Sequence, residues 1–242
     1  MPDILVLNPN TTASMTEKIG RAAEAAAAPG TRIRAANPPD GPVSIEGAYD
    51  DVFAAAAALR ALKNGPKADG YVIACFDDTG LDGARALLDG PVVGIGEAAF
   101  HFASLVAHRF GVVTTLARGA PVIERNLAAY GLASRCVRVA AADVPVLALE
   151  EPGSDAAMKV EAMARRLIEE DGAEAIALGC AGMADLAARL SDTLGAPVID
   201  GVASAVKLVE GLIATGVKTS RRGAYALPGG KPYKGAFEHD AP

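Results

Sequence analysis

The chain has 242 residues, 51% of them hydrophobic, and a formal net charge of −6. That length buries one large core or two modest ones, and the negative balance argues against nucleic acid as a partner. Apolar stretches broken every few residues by charge, Gly or Pro leave neither a membrane span nor a signal peptide, so the expected location is the cytoplasm.

Strands are expected at residues 3–8, 31–36, 70–75 and 91–95, alternating with helices at 13–28, 48–63, 81–88 and 98–108. The second half repeats the order, with strands at 109–114, 136–140, 174–179 and 197–200 and helices at 119–130, 154–171, 184–194 and 201–215. Strict alternation implies right-handed crossovers and parallel sheets. The expected fold is therefore α/β, with two pseudo-symmetric lobes, each a four-stranded parallel sheet flanked by helices, and an active site in the cleft between them. The Gly/Pro-rich tail from Arg221 onward reads as an irregular strap.

The duplication can be checked on the chemistry-bearing positions. Asn8 and Thr114 each close an apolar strand and precede a Thr-containing turn; Cys75 follows Asn8 by 67 residues and Cys180 follows Thr114 by 66. Each cysteine ends an apolar run too short for a helix and opens a segment with helical spacing. Both thus belong at the C-terminal end of a parallel strand, where open α/β sheets bind ligands. Three cysteines without a CxxC pair form neither a disulfide framework nor a zinc site, which leaves reduced thiols for chemistry. Two thiols facing one another across a cleft suit the transfer of a proton from one face of a carbon to the other. A helix start behind each would favour the thiolate.

The other candidates each have a plainer reading. Asn8, Asn10, Thr11, Thr114 and Thr115 could hydrogen-bond a substrate oxygen or cap the helices that follow, and the two roles stand as alternatives. Asp77 and Asp78 read as caps of the helix after Cys75 in preference to substrate contacts, because a carboxylate beside a thiolate opposes its ionisation. Cys136 reads as a small structural hydrophobe. His101 and His108 share a helix face without a carboxylate partner at ligand spacing, so no metal is expected. Gly94-Ile95-Gly96 lacks the third glycine of a dinucleotide loop, and no P-loop or Schiff-base lysine stands out; a mechanism without cofactor is the simpler expectation.

Five stretches in order carry a resemblance: Leu7-Asn8-Pro9-Asn10-Thr11-Thr12, Ser44-Ile45-Glu46-Gly47, Ala74-Cys75-Phe76-Asp77-Asp78 with Gly80-Leu81-Asp82, Val113-Thr114-Thr115, and Leu178-Gly179-Cys180-Ala181-Gly182-Met183. Together they resemble the hydantoin and allantoin racemases of the aspartate/glutamate racemase superfamily. Relatives there, the arylmalonate decarboxylases, lack one cysteine; this chain keeps both, as racemases do.

The resemblance implies a cofactor-independent racemase acting on C5 of 5-substituted hydantoins, a small-molecule enzyme that forms homo-oligomers. Allantoin racemisation, amino-acid racemisation of the aspartate/glutamate type, and decarboxylation or isomerisation are the alternatives. It implies Cys75 and Cys180 as the catalytic pair, with Asn8, Asn10, Thr11, Ile45, Phe76, Thr114, Thr115, Ala181 and Gly182 binding substrate. In such racemases the chain returns to complete the first lobe, which gives lobes of 1–97 plus 208–242 and 98–207. The mostly neutral motif positions suit a cyclic ureide better than a dicarboxylate, although Arg85 and Arg118 lie within reach of the cleft or of surface partners.

Overall fold

Among the described residues of this computed structural model, 1–151 and 153–241, eight strands alternate with eight α-helices. The first sheet holds β1 (Asp3–Leu7), β2 (Arg32–Ala36), β3 (Gly70–Ile73) and β4 (Val92–Gly94), in the order β2-β1-β3-β4. The second holds β5 (Phe110–Thr114), β6 (Cys136–Ala141), β7 (Ala175–Gly179) and β8 (Val198–Ile199), in the order β6-β5-β7-β8. All pairings are parallel, so the halves share one topology, as the duplication predicts.

Residue type follows position in the sheet. The central strands β3, β5 and β7 are buried along their whole length and read as unbroken apolar runs, as strands covered on both faces must. The edge strand β2 is only partly covered and carries two arginines, of which Arg34 holds Asp3 at 2.9 Å.

The helices are α1 (Ala13–Ala26), α2 (Ala48–Asn64), α3 (Leu81–Leu87), α4 (Ile95–Val106), α5 (Ala120–Ala129), α6 (Ala156–Glu169), α7 (Ala187–Leu194) and α8 (Gly201–Ala214). In α1, Met15, Ile19 and Ala23 recur every fourth residue and form its buried face. Two helices trade partners. α4 leaves the first sheet yet packs on β7 of the second, and α8 leaves the second sheet and packs on β3, β4 and α1. The expected cut at 97 falls in the first turn of α4 and that at 207 inside α8.

This exchange makes the core continuous across the lobes. Ile4, Val72 and Phe76 of the first half belong to one buried cluster with Phe100, Val112 and Ala177, and Phe100 meets Phe76 edge-on at 5.2 Å and stacks on Phe110 at 6.2 Å.

α4 begins three residues before the expected position 98. Its cap comes from far along the chain, since the Asp78 carboxylate accepts from Gly96 N at 2.9 Å and from Glu97 N at 2.8 Å. Gly96 is required there, because a Cβ would strike the Phe76 carbonyl oxygen. The tail after α8 is the expected irregular strap, with 3-10 turns at Gly223–Tyr225 and Gly235–Asp240. Arg221 fastens it to the end of α3, and Asp240 receives Arg60 of α2 through two bonds of 2.7 and 2.6 Å. No helix among the described residues is long and apolar enough to cross a membrane.

Candidate active site

A cleft opens where the C-terminal ends of β1 and β3 face those of β5 and β7. Cys75 lies two residues beyond β3 and Cys180 one residue beyond β7, and both line this cleft. Asn8, Asn10, Ile45, Phe76, Thr114, Thr115 and Ala181 line it too. Thr11 and Gly182 lie outside the lining: the Thr11 hydroxyl donates to Pro42 O at 3.3 Å, and the Gly182 carbonyl accepts from Lys18 Nζ at 2.7 Å.

The polar walls are braced from within. Asn8 Nδ2 donates to Asn10 Oδ1 at 2.8 Å and to Thr16 Oγ1 at 3.0 Å, and Asn10 Oδ1 also accepts from Thr12 N at 2.9 Å. This fixes the turn into α1, where Thr12 is the N-cap residue but makes no side-chain cap of its own. Thr114 and Thr115 are buried at the end of β5. The residue before Cys180 must be glycine, because a Cβ on Gly179 would stand 2.8 Å from Val113 O on the adjoining strand. Position 179 thereby lets the strand that delivers Cys180 close onto its neighbour.

The expected helix start behind each thiol is absent at Cys75. A loop separates it from α3, which begins at Leu81, and Cys180 precedes only a 3-10 turn, Ala181–Leu186, ahead of α7. Burial is the larger influence on both thiols. It pushes Cys75 well above the ordinary thiol value, and the Asp77 carboxylate adds to the rise while the Thr79 hydroxyl and the Asp77 N–H oppose it. Burial likewise pushes Cys180 up to about 11, with the Gly182 N–H and Lys18 pulling down and Asp77 pushing up.

Neither aspartate beside Cys75 caps α3, contrary to the sequence expectation. The αL residue Gly80 holds that helix's N-cap position, and the Asp78 side chain is spent on α4 and on the Tyr130 hydroxyl. Asp77 lines the cleft. Burial and the nearby Asp51 raise it to about 7, against Arg125.

The two arginines are both engaged elsewhere. Arg85 is paired with Glu97 at 2.5 Å and bonds Val92 O, away from the lining. Arg118 pairs with Glu46, whose other oxygen accepts from Val146 N at 3.1 Å. Glu46 itself lines the cleft and links a loop of the first lobe to the second. It stands beside Ile45 in one of the motifs, so its signal was adjacency; Met15 and Val146 also line the cleft and have no motif to mark them. Cys136 starts an edge strand and lies outside the lining, as do His101 and His108. Among the described residues, no three His, Cys, Asp or Glu side chains converge as a metal site.

The chain's relatives agree with this geometry. The family model described as Asp/Glu/Hydantoin racemase matches residues 4–209. A hydantoin racemase of Rhizobium meliloti is 45% identical over 231 residues, covering 93% of this chain and 94% of that protein. The solved structure of an allantoin racemase from Klebsiella pneumoniae matches with a TM-score of 0.97 at 48% identity, covering 100% of both chains. An allantoin racemase from Pseudomonas fluorescens matches with a TM-score of 0.93 at 41% identity, covering 96% of this chain and 100% of that one. With its duplicated sheets, its cleft bearing one cysteine from each lobe and a match that spans most of its length, this chain belongs to the Asp/Glu/Hydantoin racemase family.

Proposed function

We propose that the chain is a cofactor-independent racemase that inverts C5 of 5-substituted hydantoins through a two-cysteine 1,1-proton transfer. Allantoin falls in the same class, being a hydantoin with a ureido group at C5. The observation that carries the reading is that Cys75 and Cys180 line one cleft from matching strand ends of two lobes with the same strand order.

In the step, one cysteine, as thiolate, takes the C5 proton. The C–H electron pair spreads onto the adjacent ring carbonyl, and the other cysteine, as thiol, delivers its proton to the opposite face. One C–H bond breaks, one forms, and the protonation of the pair is exchanged, which readies the site for the reverse direction. A base taking a proton from a weakly acidic C–H benefits from high basicity, and the desolvation that raises both thiols supplies it. The donors for the developing enolate oxygen are the Asn10 amide, one N–H of which meets Met15 Sδ, and the hydroxyls of Thr114 and Thr115; both N–H groups of Asn8 are taken by Asn10 and Thr16, so Asn8 braces the wall. Among the described residues, no lysine or arginine lines the cleft, which favours a neutral ureide over an aspartate- or glutamate-like dicarboxylate. Reduced thiols suit a cytoplasmic enzyme, and a homo-oligomer is the expected assembly.

The test is incubation of one hydantoin enantiomer in heavy water with reduced protein. Loss of optical rotation with one deuterium gained at C5 is expected. Release of carbon dioxide or a changed skeleton would favour a lyase, and a folded, reduced sample that leaves rotation unchanged on hydantoins and allantoin alike would sink the proposal.

A further inference from the structure

The Asp77 carboxyl differs from Glu46, the other acidic side chain of the cleft lining. Among the described residues it has no hydrogen-bond or ion-pair partner; the bond made to Asp77 goes to its backbone carbonyl, from Asn126 Nδ2 at 2.8 Å. Glu46, the other acidic side chain in the lining, is compensated by Arg118 and the Val146 N–H. Of the cations nearby, Arg85 is occupied by Glu97 and Lys18 by Asp185 and the Gly182 carbonyl, while Arg125 of α5 acts on Asp77 from outside the lining without forming an ion pair with it. The lining thus holds one acidic residue, Asp77, whose side chain is without a partner among the described residues. Its field acts on Cys75 and on Cys180, which puts it within electrostatic reach of anything held between the thiols.

A half-buried carboxylate without a partner, as Asp77 is, is satisfied by an N–H donor and opposed by another anion. Ureides carry several N–H groups and no formal charge, whereas amino acids and carboxyl-bearing hydantoins bring a carboxylate into the same space. We propose that Asp77 is a specificity-determining residue whose carboxylate accepts an N–H from a neutral ureide and turns away substrates bearing a carboxylate near the reacting carbon. This rests on the racemase reading and adds the group that selects within it.

The charge of Asp77 changes in the neutral range. Asp51 of α2 and burial raise its carboxyl to about 7, Arg125 of α5 opposes them, and Cys75, Cys180 and Glu46 are the remaining ionisable groups of the lining. A carboxyl on the substrate stays ionised from pH 6 to 8, since its ordinary value is about 4. Rejection of anionic substrates should therefore strengthen as pH rises through about 7 and Asp77 ionises.

The experiment compares 5-(carbamoylmethyl)hydantoin with 5-(carboxymethyl)hydantoin, which are nearly equal in shape and differ in charge. Dissociation constants by calorimetry and kcat/KM by polarimetry are measured for the wild type and Asp77→Asn at pH 6 and pH 8. At pH 8 the wild type should favour the neutral compound by about tenfold or more. That preference should shrink by at least threefold in Asp77→Asn, and in the wild type at pH 6. A preference that is the same in both proteins and flat with pH overturns the proposal. Should Asp77→Asn fail to fold, a flat wild-type preference between pH 6 and 8 overturns it alone. Discriminating binding without turnover would instead remove the racemase reading and leave the selectivity of Asp77 standing.

Discussion

The Tyr130 hydroxyl donates to Asp78 Oδ2 at 2.8 Å. Tyr130 ends α5 of the second lobe, and Asp78 lies three residues after Cys75 in the first. The same carboxylate caps α4, so one buried side chain ties the loop bearing Cys75 to both a crossover helix and the opposite lobe. Asp78 holds a left-handed backbone, φ 53°, which Asp and Asn tolerate better than most residues.

Asp78→Ala should therefore lower both stability and turnover. It leaves the Gly96 and Glu97 N–H groups and the Tyr130 hydroxyl without their acceptor, at about 1–3 kcal/mol each before relaxation, so a loss of about 3 kcal/mol or more is expected. Tyr130→Phe removes one donor and should cost about 1 kcal/mol. Denaturant unfolding measures both, and an Asp78→Ala protein as stable as wild type would refute the tie.

The same residue gives stability a pH dependence. Burial raises the Asp78 carboxyl from 3.8 to about 7, against the pull of its three hydrogen-bond donors. The folded chain then keeps a proton that the unfolded chain releases near pH 4. That contribution is complete below pH 4 and disappears as pH rises through about 7. The urea midpoint of the wild type should accordingly carry a component that declines from pH 4 to 7. In Asp78→Asn, which has no proton there to lose, that component should be missing; identical pH profiles would count against it.

If Cys75 and Cys180 serve opposite faces, Cys75→Ala and Cys180→Ala should each abolish racemisation, with kcat reduced at least a thousandfold. Each variant should still exchange the C5 hydrogen of one enantiomer for deuterium, because the surviving thiol can act as base and return a solvent-derived proton to the same face. The preferred enantiomer should be opposite in the two variants. Proton NMR in heavy water reads the exchange, and substantial racemisation by both variants would point to a single base. Cys136→Ala is the control and should leave turnover largely intact.

The two arginines near the motifs should separate cleanly. Arg85 and Glu97 form a pair in which each side chain is only 17% exposed, so Arg85→Ala leaves a buried carboxylate unpaired and should cost about 3 kcal/mol. Arg118 is 62% exposed, and Arg118→Ala should cost less than about 1 kcal/mol. Thermal unfolding distinguishes them; the reverse ranking would show that the exposure of these pairs does not govern their worth.

The eight strands and eight helices were legible in the sequence because the signals are local: apolar runs of four or five residues, helical periodicity and Gly/Pro punctuation. The duplicated spacing carried the further inference that Asn8, Thr114, Cys75 and Cys180 occupy corresponding strand ends. What the sequence did not reveal depends on residues far apart in the chain. The start of α4 at Ile95 is set by a carboxylate from position 78, so no local cap marks it. Asp77 and Asp78 are adjacent and identical in type, yet one lines the cleft and the other is buried in a three-donor site, because the loop turns between them. The thiols' elevated pKa values likewise follow from desolvation, which exists only once both lobes have closed around the cleft. The sequence by itself determined which groups the chain brings to its strand ends. Packing alone decided how each is charged and which partner it meets, since burial and long-range hydrogen bonds belong to the folded state.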